Sequence, residues 1–151
     1  MLNIKMLLTL VSISLFLSIP PKVAQSQDEI CKGAIKVATS RSKHVYYVRY
    51  FRLSDLRKYR NIPPGRPFMI SFILRAGDGS SVMRSSSLLE ETAKDLIRRC
   101  GSVSLINYQV SGTSDGAVSY GLVEGTTRKL QCIEAGRNAP DVIPWGYDFC
   151  F

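Results

Sequence analysis

Any chemistry in this chain has to come from a short inventory of reactive side chains. Serines are plentiful, but histidine occurs once, at His44. A serine nucleophile needs a hydrogen-bonded base and a third group that orients that base. Here His44 would have to work with Asp55, Asp78 or Asp95, and no G-x-S-x-G elbow surrounds any serine. The single histidine also excludes a two-histidine ribonuclease mechanism. A carboxylate pair of the glycosidase kind could be drawn from Glu90, Glu91, Asp115, Glu124 and Glu134. Glu90 and Glu91 are accounted for by the start of a helix and Asp115 by turn chemistry. No acidic residue stands in an apolar stretch that would mark it as perturbed. No catalytic residue is assigned.

Ala76-Gly77-Asp78-Gly79-Ser80 is rich in glycine but lacks the G-K-[ST] ending of a phosphate loop, and no helix is expected directly behind it. Asp78 alone offers too few oxygens for calcium.

The four cysteines, Cys31, Cys100, Cys132 and Cys150, include no C-x-x-C pair, and His44 is not at zinc-finger spacing from any of them. Neither a metal nor a cofactor is implied. An even count in an exported domain reads instead as two disulfides. Three pairings are open. The expected one joins Cys132 to Cys150 around a short C-terminal loop and Cys31 to Cys100 between the N-terminus and a helix end.

Export is read from the first 26 residues. Lys5 supplies a positive n-region, Met6–Ile19 an apolar run, and Ala24-Gln25-Ser26 a small-residue cleavage site beyond Pro20 and Pro21. The run is too short to span a bilayer, and no later segment is long and apolar enough. Residues 1–26 are expected to be a cleaved signal peptide and 27–151 a single domain, periplasmic or secreted.

Charge is the most informative feature. The formal net charge is +8, and between Lys32 and Arg75 eleven basic residues face Asp55 alone. Tyr46, Tyr47, Tyr50, Phe51 and Tyr59 interleave with them. A face built from Lys43, Arg49, Arg52, Arg57, Lys58, Arg60 and Arg66 would attract an anionic surface. Outside the cytosol that surface would be an acidic polysaccharide, anionic lipid, an acidic protein or released nucleic acid. The plainer reading is a solvated face that keeps the protein soluble.

The elements that must position these residues follow from periodicity. Residues 31–39 and 44–52 read as strands, 54–60 as one or two helical turns, and 61–67 as a loop with three prolines and a glycine. Phe68–Arg75 is the expected central strand. The clearest element is a helix at 88–100. Ser87 and Glu90 fit a capping box, Leu89, Ala93, Leu96, Ile97 and Cys100 form one apolar stripe, and Gly101 stands where a left-handed cap would end it. A three-strand meander follows at 102–110, 118–124 and 127–133. In Trp145–Phe151 strict alternation puts Trp145, Tyr147, Phe149 and Phe151 on one side, expected to be buried. An outer-membrane barrel cannot be built from a chain this short that a helix interrupts.

Together these give an α+β domain, a mostly antiparallel sheet with one packed helix at 88–100, stapled by two disulfides. The function expected is that of an exported, non-catalytic binding protein meeting an anionic partner through its basic face. The alternative is an inhibitor of an extracellular enzyme presenting 61–67 or 111–116, and behind it a small carboxylate-dependent hydrolase.

Overall fold

The structure, a computed structural model, describes residues 22–41, 45–53, 58–77, 79–112, 116–134 and 140–150. The apolar run at 6–19 and Lys43, His44, Asp55, Arg57, Asp78 and Asp115 lie outside the described residues. The elements in chain order are α1 (Lys22–Arg41), β1 (Val45–Arg52), β2 (Tyr59–Arg60), β3 (Phe68–Leu74), α2 (Gly79–Arg84) and α3 (Ser86–Arg99). There follow β4 (Val103–Val110), β5 (Val118–Val123), β6 (Thr126–Lys129), β7 (Gln131–Glu134), β8 (Ile143–Pro144) and β9 (Tyr147–Cys150).

The domain is α+β, built on a five-stranded sheet in the order β1-β3-β4-β5-β6. All its pairings are antiparallel except β3–β4, which is parallel. A parallel pair needs a crossover, and α2 and α3 supply it. β3 and β4 are buried along nearly their whole length, as the near-continuous apolar run of β3 requires of a strand covered on both faces.

One face carries Ile70, Phe72, Leu74, Ile106, Tyr108 and Tyr120 against Leu89, Ala93, Leu96 and Ile97 of α3 and Cys31 and Ala34 of α1. The other face is closed by the C-terminal segment, where Leu105 and Val123 meet Leu130, Ile143, Trp145 and Phe149. Gly121 makes this second layer possible. A Cβ there would stand 2.9 Å from Leu130 Cδ2 and 3.4 Å from Trp145 Cζ2.

Several expectations are corrected. Residues 31–39 are helix, not strand. Cys31, Ala34, Ile35 and Ala38 recur at i, i+3, i+4 and i+7, and this is the face that α1 packs inward. The sheet therefore carries more than one helix, with α1 tied to the end of α3 by the Cys31–Cys100 disulfide, as expected for that pair. No cysteine among the described residues is free, and Cys132 sits on β7.

The helix expected at 88–100 spans 86–99 with its predicted apolar stripe inward, but its caps differ. Ser85 is the N-cap and makes no side-chain capping bond, so the Ser87/Glu90 box does not form; Glu90 pairs with Lys94 at 2.7 Å instead. At the other end Cys100, at φ −92° and ψ 88°, leaves the helix directly, because the chain must enter β4 three residues later. Gly101 is not in the left-handed region.

Residues 59–60 are strand where a helical turn was expected, since they pair in parallel with β8. The glycine-rich stretch at 76–80 runs straight into α2, although its G-K-[ST] ending is still missing. The third meander strand is split: Leu130 turns inward, β6 stays on the sheet and β7 leaves it to pair in parallel with β9. The terminal aromatic strand is likewise broken, at Gly146 (φ 101°), and Tyr147 faces out, 37% exposed.

Candidate functional site

The sheet leaves β1 as an edge strand, and of the expected basic face it carries Arg49 and Arg52. Register pairs Arg49 with Ser71 and Arg52 with Phe68. Because side chains alternate along a strand, the two arginines stand on opposite faces, three residues apart. Arg49 lies over the Tyr47 ring, 4.9 Å from its centroid, and Arg52 over Phe68 at 5.4 Å. Tyr50, 48% exposed, stacks on Phe68 at 4.9 Å, and its hydroxyl meets Ser102 Oγ at 3.2 Å. Each guanidinium is thus oriented by an aromatic ring yet open to solvent on its other side. Arg60 is exposed on β2. Among the described residues Arg49, Arg52 and Arg60 form no ion pair.

Two other members of the expected face have internal work. Arg66 Nη1 donates to Ile97 O at 2.7 Å and to Val103 O at 2.9 Å. It satisfies carbonyls where α3 ends and β4 begins, a position that favours a cation. Lys58 Nζ is ion-paired to Asp148 and packs 5.2 Å and 5.3 Å from the Tyr59 and Phe149 ring centroids. Lys43 and Arg57 fall outside the described residues.

Sequence reasoning passed over Asp148, which is only 8% exposed. The alternation of 145–151 seemed to point it away from the buried aromatic side, whereas β9 turns it toward the sheet. One oxygen accepts from Lys58 Nζ and from its neighbour's backbone, Phe149 N, at 2.8 Å, while the other accepts from Ser119 Oγ. Behind Ser119, Asn107 Nδ2 donates to the same hydroxyl at 2.9 Å, and Ser71 Oγ donates to Asn107 Oδ1 at 3.1 Å. The chain of polar groups crosses β3, β4 and β5 and ends on β9. Tyr59 lies close by, and burial first, then the charge of Asp148, pushes its ionisation well above the ordinary tyrosine range. With Ser71 and Ser119 nearly inaccessible, the arrangement clamps two layers together and presents no open nucleophile. The signal that could have revealed it is a single carboxylate among aromatics on a terminal strand.

The remaining carboxylates are placed elsewhere. Asp95 binds Arg98 and Arg99 on the outer side of α3, and its acidity is strengthened chiefly by the Arg99 hydrogen bond. Glu124, in the left-handed region at φ 52°, forms the β5–β6 turn and meets Arg128. Among the described residues no group of three His, Cys, Asp or Glu is disposed to hold a metal ion.

A groove runs between α1 and α3 over a floor of Phe72 and Tyr108. Ile30, Val37 and Leu88 stand on its rim, 48%, 47% and 52% exposed. Of its rim cations, Lys94, Arg98 and Arg99 are already paired with Glu90 and Asp95. No helix among the described residues is long and apolar enough to cross a membrane.

Compared with protein-family models, with curated proteins and with solved structures, the chain matches none.

Proposed function

We propose that this is an exported, non-catalytic binding domain that meets an anionic partner through the basic edge formed by β1. The observation that carries the reading is the pair Arg49 and Arg52, both exposed, both stacked on rings, and neither paired with a carboxylate among the described residues. Orienting a guanidinium on an aromatic face lowers the ordering cost when it meets an anion. Lys58 and Arg66 support the fold beneath this edge.

The same reading places the chain in an oxidising compartment, with residues 1–26 removed on export. The Cys31–Cys100 bridge supports this. A second bridge, Cys132–Cys150, belongs with it: the two cysteines lie on the paired strands β7 and β9. Non-reducing peptide mapping of the secreted protein is expected to recover both bridges and an N-terminus at Gln27.

The test is an Arg49→Glu/Arg52→Glu variant, with circular dichroism showing the fold intact. Binding to acidic polysaccharide, anionic vesicles and an acidic protein is compared at about 50 and 200 mM salt. Salt-sensitive binding by the wild type that the variant loses supports the reading. Unchanged binding, or none to any anion at the lower salt, defeats it.

A second reading has one observation in its favour. Residues 61–67 form a loop in which Asn61 (φ 59°) and Gly65 (φ 74°) are left-handed and Arg66 N bonds Pro63 O at 3.1 Å. A turn fixed by two left-handed residues and a backbone bond gives an exposed loop a defined shape, of the kind an enzyme inhibitor presents. It calls for a stoichiometric complex that is insensitive to salt.

A further inference from the structure

We infer that the anionic partner is an acidic polypeptide in extended form, added to the sheet as a sixth strand along the outer edge of β1. This rests on the basic-edge reading and names the partner class it fits.

Three observations combine. β1 has eight residues and pairs only with β3, so alternate N–H and C=O groups along its outer side have no strand partner among the described residues. Such an edge is a template for a chain that can supply a complementary ladder, as a polypeptide can and a polysaccharide or lipid cannot. The edge also has the wrong charge to pair with itself: a β1–β1 dimer would crowd the Arg49 and Arg52 cations of both copies along one joint. Finally, the arginines project to opposite faces. A strand laid beside β1, in either direction, places the residues opposite Arg49 and Arg52 three apart and on opposite faces as well. Carboxylates at i and i+3 then meet both cations. Carboxylates at i and i+2 share a face and can meet only one.

The experiment uses the oxidised protein, residues 27–151, and fluorescent peptides of alternating Thr and Val carrying two Glu residues. One peptide spaces them by three and another by two. A third repeats the first with N-methyl groups on the edge that would face β1, and a fourth methylates the opposite edge. Binding is read by anisotropy at about 50 mM salt, with a sulfated polysaccharide and anionic vesicles as separate probes.

The proposal expects the i, i+3 peptide to bind about fivefold more tightly than the i, i+2 peptide. It expects methylation of the facing edge to abolish binding and methylation of the opposite edge to leave it. Equal binding of all four peptides would overturn strand addition while leaving the basic edge as an anion site. So would binding confined to the polysaccharide or the vesicles. Failure of every anion to bind would remove both readings.

Discussion

Lys58 and Asp148, 90 residues apart in the chain, form an ion pair that fastens the C-terminal strand β9 across the second face of the sheet. The lysine comes from the stretch between β1 and β3. The carboxylate also anchors Ser119 on β5. The charge that made Lys58 look like part of a binding face is spent inside the fold.

Asp148→Asn is therefore expected to destabilise the domain by about 3 kcal/mol, because it strands a partly buried ammonium and weakens the acceptor for the Ser119 hydroxyl. Urea unfolding measures it. In a double-mutant cycle with Lys58→Met, a coupling of at least ~1 kcal/mol is expected. Full additivity would mean that the pair does not act as a clamp.

The Cys31–Cys100 bridge joins residues 69 apart. In the chain-entropy model a loop of this size contributes about 4 kcal/mol through the unfolded state. The Cys31→Ser/Cys100→Ser variant should unfold at markedly lower denaturant, with α1 lost first, since α1 is otherwise held mainly by packing on α3 and one sheet face. A variant with wild-type stability and helix content would show that α1 docks without its tether.

Alkali should unfold this protein for an identifiable reason. Burial above all holds Tyr59, Tyr108 and Tyr120 above the ordinary tyrosine range. Groups whose folded ionisation is raised contribute stability that is whole below the unfolded value, near 10, and is lost as pH rises beyond it. Tyr59 and Tyr108 each contribute a loss of about 1.4 kcal/mol per pH unit there. Tyrosinate absorbance is expected to rise together with loss of the fold, and Tyr59→Phe to make the decline shallower. Titration of all tyrosines in an intact fold near pH 10 would contradict this.

Ser104 points the other way. It is fully buried on β4 and its hydroxyl has no hydrogen-bond partner among the described residues. Ser104→Ala should raise stability by about 1 kcal/mol, because an unsatisfied buried hydroxyl carries its desolvation cost without return. A loss of stability on thermal melting would reveal a partner for the hydroxyl.

By itself the sequence determined what depends on local periodicity and on composition. The apolar stripe of α3, the buried run of β3, the first two strands of the meander and the polarised charge are written in neighbouring residues, and each was legible. The Cys31–Cys100 pairing was also reachable, as one of three. Only the tertiary structure decided the rest. Helix and strand compete closely over 31–39, where β-branched residues share the stretch with a helical spacing, and packing against α3 settles it. The split at Leu130 and the break at Gly146 depend on a second layer closing over Gly121. Asp148 could not be found by scanning for charge in apolar surroundings, because Lys58, Ser119 and Tyr59 reach it from distant parts of the chain. The same holds for the basic edge. Eleven cations were visible in order, but which stay open to solvent was fixed by which ones the fold consumed: Lys58 at a buried carboxylate, Arg66 at the end of a helix, and neither Arg49 nor Arg52.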